Sequence, residues 1–86
     1  MPEISRFYGI VISIYFKDHS PPHFHADYGE FSAQFGIRDL KILEGTMPKR
    51  VKNLVLEWAD DHRDELMTAW SAVQAGEPFS KIEPLQ

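Results

Sequence analysis

Apolar and polar residues alternate along the first part of the chain and recur at helical spacing along the second. Phe7 to Phe16 (FYGIVISIYF) is dense in β-branched and aromatic residues, the composition of a strand. Tyr8, Ile10, Ile12, Ile14 and Phe16 form one face of it, and the smaller Phe7, Gly9, Val11, Ser13 and Tyr15 form the other. Residues 1–6 then read as a lead-in. Lys17 to Pro22 (KDHSPP) makes a turn, stiffened by two prolines that fix φ and lack an N–H.

A hairpin follows. Gly29-Glu30 lies between two apolar runs and suits a two-residue type II′ turn. That turn places Tyr28 opposite Phe31, Ala26 opposite Ala33, and Phe24 opposite Phe35, all on one face. His23, His25 and Asp27 take the other face, opposite Gly36, Gln34 and Ser32. The strands are therefore expected over about 7–16, 23–28 and 31–37, with a shorter one over 40–43.

From about residue 47 to 75 the period becomes helical: Val51, Leu54, Val55, Trp58, Leu66, Ala69, Trp70 and Val73 share a stripe. Thr46 is the expected N-cap, Pro48 falls in the first turn, and Gly76 and Pro78 supply the stop. A single helix of that length would run roughly 43 Å, against the ~30 Å expected for a domain of this size. It must overhang the sheet or break near Asp60-Asp61, and an overhang would leave Trp70 needing a second chain, as in a homodimer. The expected fold is α+β, a three- or four-stranded antiparallel meander packed on one long C-terminal helix, with an extended tail over 77–86. The whole is one domain, 1–86.

With 86 residues, 43% hydrophobic and 26% charged, the chain has the balance of a small globular domain. The net charge of -4 excludes a surface that is basic throughout, so a nucleic-acid role needs a local patch. No cysteine is present, which excludes disulfides and thiolate metal sites. The N-terminus lacks a basic segment followed by an apolar one, and no apolar run approaches a membrane span. A cytoplasmic protein is expected.

The histidines carry the candidate chemistry. His23 and His25, two apart on a strand, hold their β-carbons roughly 7 Å apart on one side. Such a pair suits acid–base catalysis on an RNA phosphodiester, with one imidazole as base and the other as acid. Lys17, Tyr15 or Arg6 would offset the developing charge. No cofactor is needed for that chemistry. The same pair also suits a divalent transition metal, with His19 as the third ligand, or else His62 or Asp27. Histidines that are merely exposed on a strand are the plain alternative, and His62 fits a hydrogen-bonded helix position. Lys49, Arg50 and Lys52 crowd a helix N-terminus, where cations oppose the helix dipole, and form a candidate anion or RNA-phosphate site. Glu57, Asp60, Asp61, Asp64 and Glu65 read as a solvated acidic face, or as one that receives a basic partner.

MPEISRFYGI, DHSPPHFHA, KILEG with PKR, LEWADDHRDEL and KIEPL together resemble a widespread group of short bacterial proteins. That group is the domain of unknown function with series number four-one-six-zero. The resemblance covers nearly the whole chain. It matches His19, Pro21, Pro22, His23, Phe24 and His25, and departs at Glu30, Gln34 and Gly36. It implies a setting like that of toxin–antitoxin pairs, with a small protein partner encoded by the neighbouring gene. For a toxin member it implies interference with RNA or translation. The leading expectation is thus a toxin-like component acting on RNA through His23 and His25. The alternatives are a metal-binding module and a non-enzymatic interaction protein.

Overall fold

The structure is a computed structural model describing residues 3–86. It is α+β, with five strands in one antiparallel sheet and two helices: β1 Glu3–Phe7, β2 Ile10–Ser13, β3 His23–Tyr28, β4 Phe31–Gly36, β5 Ile42–Gly45, α1 Lys49–Asp61 and α2 Arg63–Gln74. The strands lie in sequence order, a plain meander.

The β3–β4 register is the expected one. Phe24 pairs with Phe35, Ala26 with Ala33, Tyr28 with Phe31, and His25 with Gln34. Gly29 turns at φ 56, the sign that the first position of a type II′ turn requires. The two phenyl rings of Phe24 and Phe35 stack at 5.3 Å, and Trp58 of α1 meets Phe24 edge-on at 6.0 Å. Ile4, Ile10, Ile12, Val55 and Leu66 complete a fully buried core with them.

Three expectations fail: one strand over 7–16 in a sheet of three or four, a single long helix, and Thr46 as its N-cap. The run over 7–16 is not one strand, and the sheet has five strands rather than three or four. Tyr8 and Gly9 both take positive φ (50 and 79), the sign pattern of a type I′ turn, and fold the run into the β1–β2 hairpin. Residues read as a lead-in become β1, although Met1 and Pro2 lie outside the described residues. The long helix is also two helices. His62, at φ -126 and ψ 25, interrupts it one residue beyond Asp61. The break lets both halves stay on a body measuring 33 × 26 × 22 Å, which a continuous rod would overrun. Trp70 is consequently covered within its own chain. Thr46 is not the N-cap: Pro48 holds that position, without a side-chain cap bond.

The end of α2 closes as the sequence indicates. Gly76 sits at φ 71, its N–H bonds to the Val73 carbonyl, and the Glu77 N–H reaches the Ala72 carbonyl at 2.8 Å. The tail then runs along the body. Ile82 exchanges hydrogen bonds with Ile4 and Ser5, and Trp58 Nε1 donates to the Glu83 carbonyl at 2.8 Å. The tail thereby occupies part of the β1 edge, which would otherwise expose unpaired backbone. None of the helices among the described residues is long and apolar enough to cross a membrane.

Candidate metal centre

The β2–β3 connection folds back so that its own residues meet the start of β3. Lys17 takes a left-handed conformation (φ 61), which turns the chain and brings Asp18 beside the strand. Gln74 of α2 fastens the loop from the other side. Its side-chain nitrogen donates to the Tyr15 carbonyl at 2.7 Å, and its oxygen accepts from the Asp18 N–H at 3.2 Å. Trp70, one helical turn before Gln74, packs its ring 5.2 Å from that of His23. A loop, a strand and a helix therefore converge on one small volume.

Three side chains meet there. Asp18 Oδ2 lies 2.9 Å from His23 Nε2 and 3.0 Å from His25 Nε2. One ligand atom from each residue falls within 4.8 Å of the others. The two imidazole rings are 5.2 Å apart, and the Tyr15 ring meets His25 edge-on at 4.3 Å. His23 is 2% exposed and His25 20%. The expectation that both imidazoles stand on an open face holds for His25 only. Strand parity does send them to the same side, away from Phe24, but Trp70 and the Asp18 loop enclose His23.

The hydrogen bonds set the chemistry. His23 Nδ1 lies 2.7 Å from the Pro21 carbonyl oxygen, which can only accept, so Nδ1 carries a proton. His25 Nε2 donates to Asp18 Oδ2 in good geometry. His23 Nε2 is just as close to that oxygen but is not aligned for a hydrogen bond to it, or to any other atom among the described residues. A neutral His23 would therefore hold an unprotonated Nε2 beside an anionic oxygen, with no donor between them, in a site shielded from water. That arrangement is repulsive unless a positive charge sits between them.

Asp18 is ionised. Burial pushes its carboxyl up, but the hydrogen bond from His25, the electrostatic effect of the His23 ring beside it and the bonds from His19 outweigh it. The group is held below the ordinary carboxylate range. Its second oxygen, Oδ1, is held by the His19 ring and the His19 N–H, both at 3.2 Å. Tyr15 is pushed up, first by burial and then by the charges of Asp27 and Asp18.

The separations suit a metal. With bonds of about 2.1 Å, two ligand atoms at a right angle around a first-row ion are roughly 3 Å apart. Two imidazoles and a carboxylate on one side of an ion form a known facial set that leaves positions open.

The other candidate residues are placed as follows. His19 contacts Asp18 Oδ1 and is exposed, outside the converging trio. Asp27 accepts a short hydrogen bond from the Ser32 hydroxyl, and His62 pairs with Glu65 at 2.6 Å. Lys17 lies over the Phe16 ring, and Arg6 pairs with Glu3. Arg50 lines a groove with Tyr8 and Tyr28, at the far end of β3, with Lys49 and Lys52 in the same helical turn. Five residue steps along β3, roughly 16 Å, separate that end from His23. Asp18 is the member of the trio that sequence reasoning missed. The signal was its position five and seven residues before the two histidines, across a stiff Pro-Pro turn.

No curated protein and no solved structure matches the chain. A family model does match, over residues 9–71, a span that holds Asp18, His23, His25 and Trp70. By that match the chain belongs to the family described as a domain of unknown function, DUF4160.

Proposed function

We propose that this chain is a small cytoplasmic metal-binding module that holds one divalent transition-metal ion through Asp18, His23 and His25. The observation that carries the reading is the unsatisfied His23 Nε2, buried and 2.9 Å from an ionised carboxylate. An ion supplies the missing positive charge. The Pro21 carbonyl fixes the tautomer that leaves Nε2 available, the outer-shell role a carbonyl commonly plays at histidine ligands. Binding would release the His25 Nε2 proton, so loading weakens in acid. Neutral imidazoles beside one carboxylate suit zinc, iron, nickel or copper better than calcium or magnesium.

A second reading keeps the pair for RNA chemistry in a toxin-like component of a two-gene module. His25, oriented by Asp18 and partly open to solvent, is arranged as a general base. The geometry supports it less well, because an enclosed His23 is a poor acid for a large substrate.

Protein produced without a histidine tag, followed by elemental analysis and calorimetric titration of the stripped form, separates the two readings. The metal reading expects one ion per chain and loss of at least about 100-fold in affinity for Asp18→Asn or His23→Ala, more than outer-shell changes cost. Wild-type protein that takes up no zinc, nickel, iron or copper near stoichiometry would end it. Metal-independent RNA cleavage abolished by His25→Ala would favour the second reading.

A further inference from the structure

The two hairpin tips, Tyr8-Gly9 and Gly29-Glu30, lie at the same end of the sheet, opposite the Asp18 site. The Tyr28 ring rests against Gly9, where an added β-carbon would stand 3.6 Å from it. Tyr8 is 59% exposed, and Tyr28 and Phe31 are exposed beside it. Tyr8 and Tyr28 line a groove of about 600 Å³ with Arg50, Leu54 and Glu57 of α1. Two features of this end are costly to the fold. Tyr8 is a bulky residue at φ 50, where Asn, Asp or Gly is the usual choice. In addition, α1 carries Lys49, Arg50 and Lys52 in its first turn, and its last turn ends in Asp60-Asp61. That order is the reverse of the one the helix dipole favours. None of the three cations forms an ion pair among the described residues. Local stability explains neither the exposed ring nor the charge order.

We infer that this groove binds single-stranded RNA, with bases stacking on Tyr8 and Tyr28 and phosphates meeting Arg50, Lys49 and Lys52. Exposed aromatic faces beside unpaired cations are the means by which single strands are held without sequence preference. The charge favours a polyanion over a protein partner: Arg50 lines the groove with Lys49 and Lys52 in the same helical turn, three cations against one acid of the groove, Glu57. The site is independent of the metal reading, since it shares no residue with Asp18, His23 and His25.

Fluorescence anisotropy with a labelled ten-nucleotide oligouridine, on the full chain, tests it. Binding should weaken with salt at a log–log slope near -2, about 0.7 per phosphate for three contacts. Tyr8→Asn suits the turn, and Tyr28→Leu keeps the apolar contact with Gly9, so both should fold. Each should lower affinity about 5- to 100-fold. Arg50→Ser should lower it and flatten the slope by about 0.7. Lys81→Glu, on the tail beside α2, alters charge away from the groove and should have little effect. Absence of binding at low salt would overturn the inference. So would equal losses from Lys81→Glu and the tyrosine variants, or salt-sensitive self-association through these residues without RNA binding.

Discussion

The two ends of strand β3 are built on opposite principles. At the His23 end, polar groups are drawn inward: a carboxylate and two imidazoles converge under Trp70, and one ring nitrogen lacks a partner. At the Tyr28 end, apolar rings are pushed outward beside cations that have none. Each departs from the ordinary rule of apolar inside and polar outside, in opposite directions. The stable middle, Phe24 to Ala26 against Phe35 and Ala33, makes both departures tolerable. An enclosed polar cluster fits a small ion, and an exposed apolar one fits a large ligand.

The largest effect should come from removing the wall that encloses the first end. Trp70→Ala deletes a buried ring and should cost about 3–5 kcal/mol in a denaturant titration. If it costs less than 1 kcal/mol, the His23 end is not packed as described. Next comes the loop clamp. Gln74→Ala removes two hydrogen bonds to the Tyr15–Asp18 segment, each of them worth about 1 kcal/mol. It should also weaken metal binding roughly 10-fold by loosening Asp18. Unchanged affinity would show that the loop keeps its shape without α2.

Acid should act on the same end. Asp18 is held below its ordinary value of about 3.9. Its contribution to metal-free stability is therefore complete above that value and is lost as pH falls through the lower folded-state value. Asp18→Asn should flatten this part of the stability–pH curve. An unaltered curve in the variant would assign the acid sensitivity to other carboxyls. The smallest effect belongs to the other end. Tyr8→Asn relieves a positive-φ cost and should raise stability by about 0.5–1 kcal/mol. The same substitution should lower RNA affinity, the opposite sign that marks a functional residue.

Much of this contrast was legible in the sequence. Gly29 fixes the hairpin turn, and a one-residue slip would exchange the faces, so the β3–β4 register followed from alternation alone. The shared side of His23 and His25 followed with it. The enclosure of His23 did not, because Trp70 reaches it from a helix 47 residues away in sequence. Asp18 was missed because parity describes positions along a strand, and its carboxylate arrives across a loop. The Tyr8-Gly9 turn was hidden by a tyrosine where turn chemistry calls for Asn or Asp, within an otherwise uninterrupted apolar run. No glycine or proline at His62 announces a helix break; only the length of the helical stretch against the width of the domain pointed to one, near Asp60-Asp61. The break answers to the size of the sheet beneath it.

The account turns on the nitrogen of His23 that has no partner. Long-range ¹H–¹⁵N NMR of the imidazoles, recorded on stripped protein before and after one equivalent of zinc, reports each ring nitrogen separately. The account predicts that His23 keeps its proton on Nδ1 while Nε2 of both His23 and His25 shifts on zinc addition, with saturation at one ion. A His23 ring whose Nε2 stays protonated and unmoved by zinc would contradict it.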